Sequence, residues 1–372
     1  MMKIERIELH HIEQELVHPF QTSFATVKVR PCILTAVSAG GITGWAQTVA
    51  GGRPHYSAET NETAWHMLKD YLAAPLIGFE LHVPADIFRS PGYAMVRGNH
   101  MAKASLEMAV WDLFAKAQNV PLQVMFGSRK PRVEVGVSIG IQSSIDDLLI
   151  KVEQAVAMGY CRIKIKIKPG WDIVPLQAIR DRFPSIKLMC DANSAYTVID
   201  APLFQEMDAL NLLMIEQPFA HDDIIDHSGL QAKIHTPICL DESIHTLGDA
   251  RLAMALKACG IINIKVGRVG GLHEALAIHN FCAERNVPVW CGGMLETGIG
   301  TAANLHLSSC PNFSLPSDIT VTDKLYQDEI TEPEFVFHGE DSTVSVPQGP
   351  GIGVKVLLNN VEKLRKRHLI FK

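Results

Sequence analysis

The stretch from Arg162 to Asp191 reads RIKIKIKPGWDIVPLQAIRDRFPSIKLMCD and spans one unit of a pattern that recurs along the chain. Alternating isoleucines at residues 163–167 predict a strand, an amphipathic segment follows, and an apolar run at residues 186–190 predicts the next strand. Two parallel strands need a crossover of about this length, usually a helix. Repetition of the unit therefore predicts a parallel α/β barrel.

The same rhythm runs from about residue 133 to Leu315. Helical periodicity separates the strand-like runs, for example at residues 145–158, 247–258 and 272–284, with glycines at positions where helices commonly stop. The eight short apolar runs are at residues 133–139, 163–167, 186–190, 212–215, 238–240, 261–264, 287–291 and 313–315.

The rest of the chain has a different character. Upstream of the repeats, strand-like and helical patterns are mixed without a period, and downstream the chain becomes rich in Pro and Gly. We therefore expect an α/β fold in which residues 126–318 form a (β/α) TIM-type barrel. Residues 1–125 form an α+β capping domain, and residues 319–372 return to complete that domain.

Charged residues stand at the ends of five successive runs at nearly constant spacing. They are separated by 25, 25, 25 and 24 residues: Lys166, Asp191, Glu216, Asp241 and Lys265. Because each occupies the same place in its own unit, their side chains should converge at the C-terminal mouth of the barrel. Barrel enzymes place their active sites there.

The chemistry of these residues indicates a metal site flanked by bases. Three crowded carboxylates, from Asp191, Glu216 and Asp241, call for a hard cation, with Mg²⁺ the first choice and Mn²⁺ a substitute. Lys166 and Lys265 on either side could transfer protons at the carbon next to a metal-bound carboxylate. Enzymes that form an ene-diolate combine a Lys or His base with Mg²⁺ in the same way.

Each residue taken alone has a plainer interpretation. A single strand-end acid is often the N-cap of the next helix. An isolated KIKIK more often forms an edge strand with a solvated charged face. The common period of all five residues favours the catalytic interpretation, and the complete set argues against a barrel that has lost its chemistry and serves only for binding.

Composition limits the possible partners. The formal net charge is −6 and no long run of like charge occurs, so we expect neither nucleic acid nor a membrane as a partner. Eight cysteines are scattered without a C-x-x-C pair, and the N-terminus lacks the apolar stretch of a secretory signal. We expect a cytoplasmic enzyme, assembled as a homo-oligomer, that acts on a small carboxylate.

The ordered motifs HPFQTSF, MAKASLEMAVWD, VGVSIGI, RIKIKIKPGWD, DANSAYT, IEQPF, PICLDES, NIKVGRVGG and WCGGMLETGIG cover nearly the whole chain. The sequence thereby resembles the muconate-lactonizing-enzyme branch of the enolase superfamily, in particular its o-succinylbenzoate synthase and N-acylamino acid racemase group. The resemblance implies Mg²⁺-dependent dehydration in menaquinone biosynthesis, with racemisation of N-acylamino or N-succinylamino acids as a second activity. Dipeptide epimerases and cycloisomerases of the superfamily are the alternative.

The resemblance also assigns roles. Lys166 and Lys265 correspond to the catalytic lysine pair, and the three acids correspond to the metal ligands. In dehydration, Lys166 would remove the proton and then protonate the departing hydroxyl while Lys265 stays a cation; in racemisation the two would act on opposite faces. Lys164 is expected beside them, and Arg268 resembles an arginine found in racemising members.

Substrate-binding residues are implied in the same way. They are Ser138, Asn193, Phe20, Ser23, Gly293, Met294 and Glu296. Residues 20–24 should fold over the barrel mouth as a lid that governs specificity. The chain departs from the family pattern at Ala25, at Ala46 with Gln47, and at Thr301, which bears on the choice of substrate and not on the lysines or acids.

Overall fold

The computed structural model describes residues 1–21, 25–319, 321 and 325–372 of the chain. Strands account for most of the first 50 residues and then alternate with helices. Within the described residues the strands are β1 (Met2–Lys3), β2 (Arg6–Gln21), β3 (Thr26–Ala39), β4 (Ile42–Gln47), β5 (Glu80–Leu81), β6 (Arg132–Glu134), β7 (Val137–Ile139), β8 (Arg162–Lys166), β9 (Lys187–Asp191), β10 (Ile215–Glu216), β11 (Ile238–Leu240), β12 (Ile261–Ile264), β13 (Val289–Cys291), β14 (Thr331–Glu332), β15 (Phe337–His338), β16 (Thr343–Ser345), β17 (Lys355–Val356) and β18 (Arg365–Phe371).

The helices lie mainly between the barrel strands. They are α1 (Asn61–Met67), α2 (Pro91–Met95), α3 (His100–Ala117), α4 (Leu122–Met125), α5 (Ile145–Met158), α6 (Ile173–Arg182), α7 (Ala201–Met207), α8 (Ile225–Gln231), α9 (Leu247–Ala255), α10 (Leu272–Ala283), α11 (Gly298–Ser308) and α12 (Leu358–Leu364). In the part of the chain that the structure describes, none of them is both long and apolar enough to cross a bilayer.

A four-stranded antiparallel sheet, in the order β18-β2-β3-β4, forms the centre of the capping domain. The β3–β4 hairpin turns through Gly40 and Gly41, both at positive φ, as a two-residue turn between paired Ala39 and Ile42 requires. Helix α3 packs against this sheet, and the C-terminal strand β18 pairs with β2. The predicted return of the C-terminal segment is confirmed.

Among the described residues, the barrel has seven parallel strands in chain order, from β7 to β13. The predicted eighth run, residues 313–315, is not a regular strand; the chain closes the ring there through isolated parallel bridges from Val289 to Phe313 and from Val135 to Ser317. Pro311 and Pro316 flank this run and have no N–H to donate to a ladder. The prediction of the fold class is confirmed, with seven regular barrel strands in the described part of the chain instead of the expected eight.

The first predicted run, residues 133–139, also differs from expectation because it divides at Gly136. Its first half, β6, pairs with β16 of the C-terminal segment, and only β7 enters the barrel. A Cβ at Gly136 would lie 2.4 Å from Nε of Arg162, so glycine makes room for that buried side chain. Helix α5 has the predicted bounds, whereas α9 and α10 end slightly before the predicted residues.

The barrel interior is filled beneath the mouth by a separate apolar cluster. One member comes from each of β9, β11, β12 and β13, and one lies directly before β10: Met189, Met214, Cys239, Ile261 and Trp290. Such layers of alternating side chains make a TIM-type barrel a packed core and not a pore. The indole ring of Trp290 lies 4.8 Å from Nζ of Lys164, so this cluster supports the polar residues above it.

Candidate active site

The five regularly spaced charged residues meet at the C-terminal mouth of the barrel. Lys166, Asp191 and Glu216 end the neighbouring strands β8, β9 and β10, and their Cα atoms are direct partners in register. Asp241 follows β11 and Lys265 follows β12. The three carboxylates are fully buried and the two lysines are at most 6% exposed. The constant spacing therefore does bring these side chains together.

Lys166 and Lys265 are each paired with one of the acids. Nζ of Lys166 lies 2.5 Å from Oδ2 of Asp191 and donates a second hydrogen bond to Oδ1 of Asn193 at 2.9 Å. Nζ of Lys265 lies 2.7 Å from Oδ2 of Asp241. Charge-assisted bonds of this kind are strong and fix the direction of the ammonium group.

Lys164 occupies the space between the acids. Its Nζ is 3.2 Å from Glu216 and 3.5 Å from Asp191, and it makes a still closer ion pair with Asp318. Burial alone would lower the pKa of Lys164, but these carboxylates outweigh it and raise that pKa. Lys164 is therefore a permanent cation in this arrangement, suited to bind an anion and not to accept a proton.

The electrostatics of the three acids fit a bound divalent cation. Burial raises the pKa of Glu216 to about 8, and the neighbouring carboxylate of Asp191 adds to the shift. Burial acts in the same direction on Asp191 and Asp241, but paired lysines and, at Asp241, Arg268 outweigh it and lower both pKa values. Glu216 thus needs a further positive charge to ionise at neutral pH, and oxygen donors of this type suit a hard divalent cation.

Arg268 lies on the other side of Asp241 from Lys265. Its Nη1 contacts Oδ1 of Asp241 closely, while Lys265 uses Oδ2 of the same carboxylate. Nε and Nη2 of Arg268 donate to the backbone carbonyls of Ile244 at 2.8 Å and Asn263 at 2.7 Å. Burial and the positive charge of Arg268 each lower the pKa of Lys265. The carboxylate of Asp241 raises it, and the net shift is upward. The geometry therefore lets Arg268 act on Lys265 through a shared carboxylate.

Two cavities adjoin the lysine pair. Both are lined by Lys166, Lys265, Phe20 and Gly293; the larger has a volume of about 610 Å³ and the smaller about 310 Å³. The other substrate-binding candidates divide between them, with Asn193 and Met294 in the larger and Ser138 and Glu296 in the smaller. Ser23 lies outside the described residues. Ala25 lines the larger cavity and Thr301 the smaller, so two of the three departures from the family pattern face these cavities.

Two of these candidates differ in their hydrogen bonding. Oγ of Ser138 is buried and has no hydrogen-bond partner among the described residues. Glu296, by contrast, accepts hydrogen bonds from the N–H of Met294 at 2.7 Å and from Nδ2 of Asn304 at 3.0 Å. Ser138 is therefore free to bind a ligand, whereas both carboxylate oxygens of Glu296 are used to hold the loop in place.

Sequence reasoning missed several residues of the site. Tyr56 enters from the capping domain, and its hydroxyl accepts hydrogen bonds from Lys265 at 3.1 Å and Arg268 at 2.9 Å. Asp318 pairs with Lys164 and with Arg162 at 2.6 Å. No periodic signal marks Tyr56, but extending the strand-end rule to the last apolar run would have led to Asp318.

Comparisons with known proteins agree with this architecture. The model "Enolase C-terminal domain-like" matches residues 147–359, and "Mandelate racemase / muconate lactonizing enzyme, N-terminal domain" matches residues 6–127. An o-succinylbenzoate synthase from Geobacillus kaustophilus is 49% identical over 97% of this chain and 96% of its own length. An N-succinylamino acid racemase from an Amycolatopsis species is 45% identical over 95% of each chain.

A solved structure gives the same result at the level of the fold. A member of the enolase superfamily from Listeria innocua superposes with a TM-score of 0.95 at 38% identity, covering 100% of this chain and 99% of its own. Family models, relatives and structure all extend over both the capping domain and the barrel. The chain therefore belongs to the enolase superfamily, in its mandelate racemase and muconate lactonizing enzyme group.

Proposed function

We propose that this enzyme is an o-succinylbenzoate synthase, which dehydrates a hydroxylated precursor by removing the proton next to a carboxylate. The observation that carries the proposal is the lysine pair: Lys166 and Lys265 both line the two cavities, each held by its own aspartate. The similarity to o-succinylbenzoate synthases over nearly the full chain selects this dehydration among the reactions open to such a pair.

The three lysines have different roles in this dehydration. Lys166, positioned by Asp191 and Asn193, takes the α-proton in its neutral form and returns a proton to the departing hydroxyl on the same face. Lys265 remains a cation and stabilises negative charge that develops on the substrate carboxylate. Lys164 adds a fixed positive charge beside them.

The proposal includes Mg²⁺, because members of the superfamily use a divalent metal and the donors here are carboxylates. Asp191, Glu216 and Asp241 would hold the ion. When bound, it supplies positive charge to the carboxylate whose neighbouring proton is lost. A cytoplasmic site of action, as for a menaquinone-pathway enzyme, is also part of the proposal; its support is that all eight cysteines are free thiols.

The lining of the larger cavity favours an anionic substituent on the substrate. Lys28, Arg30 and Arg53 line it together with the two catalytic lysines, and its described lining contains no carboxylate. A dipeptide substrate would bring an α-ammonium group into this positive field, which costs free energy. The cavity therefore suits a succinyl-type carboxylate better than a dipeptide.

Racemisation of N-succinylamino acids is the second candidate. It needs one base on each face of the α-carbon, and Lys166 at the end of β8 and Lys265 after β12 lie on opposite sides of the three acids. The 45% identity to an N-succinylamino acid racemase and the contact of Arg268 with Asp241 support this activity. The same anionic substituent would occupy the larger cavity in both reactions.

The test measures both reactions on one preparation. Metal-stripped enzyme receives Mg²⁺ and either the hydroxylated precursor of o-succinylbenzoate or an N-succinylamino acid in D₂O. Dehydration supports the synthase proposal, and exchange with racemisation supports the second candidate. Lys166→Ala should lose both activities by roughly a hundredfold or more, whereas Lys187→Ala, at the exposed start of β9, should retain them. An active Lys166→Ala enzyme would overturn the proposed role of Lys166.

A further inference from the structure

A second group of potential metal ligands lies in the capping sheet and not at the barrel mouth. Glu8 and His10 are two residues apart on β2, so their side chains leave the same face of the sheet. On the adjacent strand β18, His368 is the direct Cα partner of His10. The register of two strands from opposite ends of the chain thus places two imidazoles and one carboxylate together.

The distances in this group are close to those of a metal site. Oε2 of Glu8 lies 3.1 Å from Nε2 of His368 and 3.9 Å from Nε2 of His10. One ligand atom from each residue lies within 4.8 Å of the other two. Ligands at about 2.1 Å from a tetrahedral Zn²⁺ are separated by roughly 3.4 Å, so a small rotation of the rings would suffice.

His10 is the residue that most needs a partner. It is only 5% exposed, and neither of its ring nitrogens has a hydrogen-bond partner among the described residues. Buried polar atoms are nearly always satisfied in folded proteins, and those that are not call for an explanation such as an ion or a water molecule. A metal bound through one ring nitrogen would satisfy it.

The surroundings of the group leave room for this ligand. Arg6 pairs with Oε1 of Glu8 at 2.8 Å and leaves Oε2 facing the two histidines. The rings of His10 and His368 are stacked with centroids 4.4 Å apart, and the side chain of His368 is 27% exposed, so its ring can turn toward a shared ion. Arg365 approaches Nδ1 of His368 only at 3.5 Å.

We propose that Glu8, His10 and His368 bind a Zn²⁺ ion that fastens the C-terminal strand to the capping sheet. Two imidazole nitrogens and one carboxylate suit Zn²⁺, whereas the all-carboxylate set at the barrel mouth suits Mg²⁺. Glu8 and His368 are 360 positions apart in the chain, so the ion would cross-link its two ends. This site is independent of the catalytic proposal.

Calorimetric titration with ZnCl₂, in Mg²⁺ sufficient to saturate the barrel mouth, tests the proposal on the full-length enzyme. The wild type should bind one Zn²⁺, and His368→Gln and Glu8→Gln should each weaken that binding at least tenfold. Asp241→Asn, at the barrel mouth, should leave it unchanged. His235→Gln is the matched control. It removes an exposed histidine whose ring pairs with one carboxylate, that of Asp208, as the ring of His368 pairs with Glu8.

Thermal unfolding supplies the second readout. Zn²⁺ should raise the midpoint of the wild type and of His235→Gln but not that of His368→Gln, because a ligand that binds only the folded state stabilises it. Equal Zn²⁺ binding by wild type and His368→Gln would overturn the proposal. The proposal would also be overturned if the wild type bound Zn²⁺ only at the barrel mouth, so that Asp241→Asn removed all of the binding.

Discussion

Oε1 of Gln47 accepts a hydrogen bond from the backbone N–H of Thr297 at 3.0 Å, which joins the last strand of the capping sheet to the N-terminus of α11. The same oxygen accepts from the N–H of Gly300 at 3.2 Å and from the hydroxyl of Thr297. Gln47 thus caps a helix from the other domain, next to the loop that carries Met294 and Glu296. A residue that departs from the family pattern therefore holds one wall of the two cavities beside the lysine pair in place.

Replacing Gln47 by Ala should destabilise the enzyme by about 2 kcal/mol, because buried donors lose their acceptor. The loop that contains Met294 should shift as well, so KM should rise more than kcat falls. Gln47→Glu keeps an acceptor at a helix N-terminus and should retain more stability than the Ala variant. Urea unfolding measures the stability of the two variants, and steady-state kinetics measure their KM and kcat. Gln177→Ala, at an exposed position, is the control. Equal stability of the Ala variant and wild type would contradict the capping role.

Glu107 performs a comparable task for α10. Its carboxylate accepts hydrogen bonds from the N–H groups of Leu272 at 2.8 Å and His273 at 2.9 Å, and from Nε1 of Trp111 at 2.6 Å. Gly271, at the N-cap position, has no side chain to do so. Glu107→Ala should therefore cost about 3 kcal/mol in unfolding free energy, and Glu107→Gln less. Amide hydrogen exchange should show faster opening of the first turn of α10 in the Ala variant, and unchanged exchange there would argue against this contact.

The residues that sequence reasoning found and missed differ in how the fold positions them. Lys166 and Asp191 could be predicted because every strand–helix unit has nearly the same length, so residues at equivalent places in successive units become neighbours. Tyr56 could not, since it reaches Lys265 across 209 positions of sequence through a capping loop that has no period. The capping roles of Gln47 and Glu107 likewise depend on how two domains pack, which no local pattern encodes.

The irregular closure of the barrel has a similar origin. Residues 313–315 are apolar enough to resemble a strand, but a ladder needs backbone N–H groups and Pro316 has none. The division of residues 133–139 depends on Gly136, whose missing Cβ admits the side chain of Arg162. In both places long-range packing overrides the local apolar pattern, whereas the barrel itself follows from that pattern repeated along the chain.

Ser138 should affect binding and not folding. Because its buried hydroxyl has no hydrogen-bond partner among the described residues, Ser138→Ala removes no hydrogen bond within them. We expect its unfolding free energy to stay within about 0.5 kcal/mol of wild type. KM should rise roughly tenfold if the hydroxyl binds a charged substrate group. The exposed Ser143→Ala serves as control, and a destabilised Ser138→Ala enzyme with unchanged KM would mean that the hydroxyl has a structural role.

Arg268→Gln should impair racemisation more than dehydration. Arg268 and Lys265 share the carboxylate of Asp241, so removing the arginine strengthens the pairing of that carboxylate with Lys265 and holds the proton on its Nζ more firmly. In dehydration Lys265 stays a cation and loses little, whereas racemisation requires it to exchange a proton. Measuring both rates on the same preparation cancels any partial unfolding of this buried site. Equal losses in the two reactions would contradict the coupling between Arg268 and Lys265.

The stability of the enzyme should fall in mild acid, and His306 should account for part of that loss. His306 is fully buried in α11, its Nδ1 accepts a hydrogen bond from the N–H of Gln123 at 3.2 Å, and burial lowers its pKa to about 4. Between pH 6.5 and about 4 the unfolded chain binds a proton at this position and the folded chain does not. Stability contributed by the neutral ring is therefore fully present above pH 6.5 and lost as the pH falls through that window.

Replacement of His306 by Gln tests this assignment, since the amide oxygen can still accept from Gln123 but the side chain cannot titrate. Unfolding free energies measured by urea at about pH 7.5 and about pH 4.5 should fall less in His306→Gln than in wild type, by up to about 3 kcal/mol. His235→Gln, which removes an exposed histidine, is the control for the loss of a histidine elsewhere in the chain. If His306→Gln loses as much stability in acid as the wild type, the buried ring must be able to take up a proton without unfolding the protein.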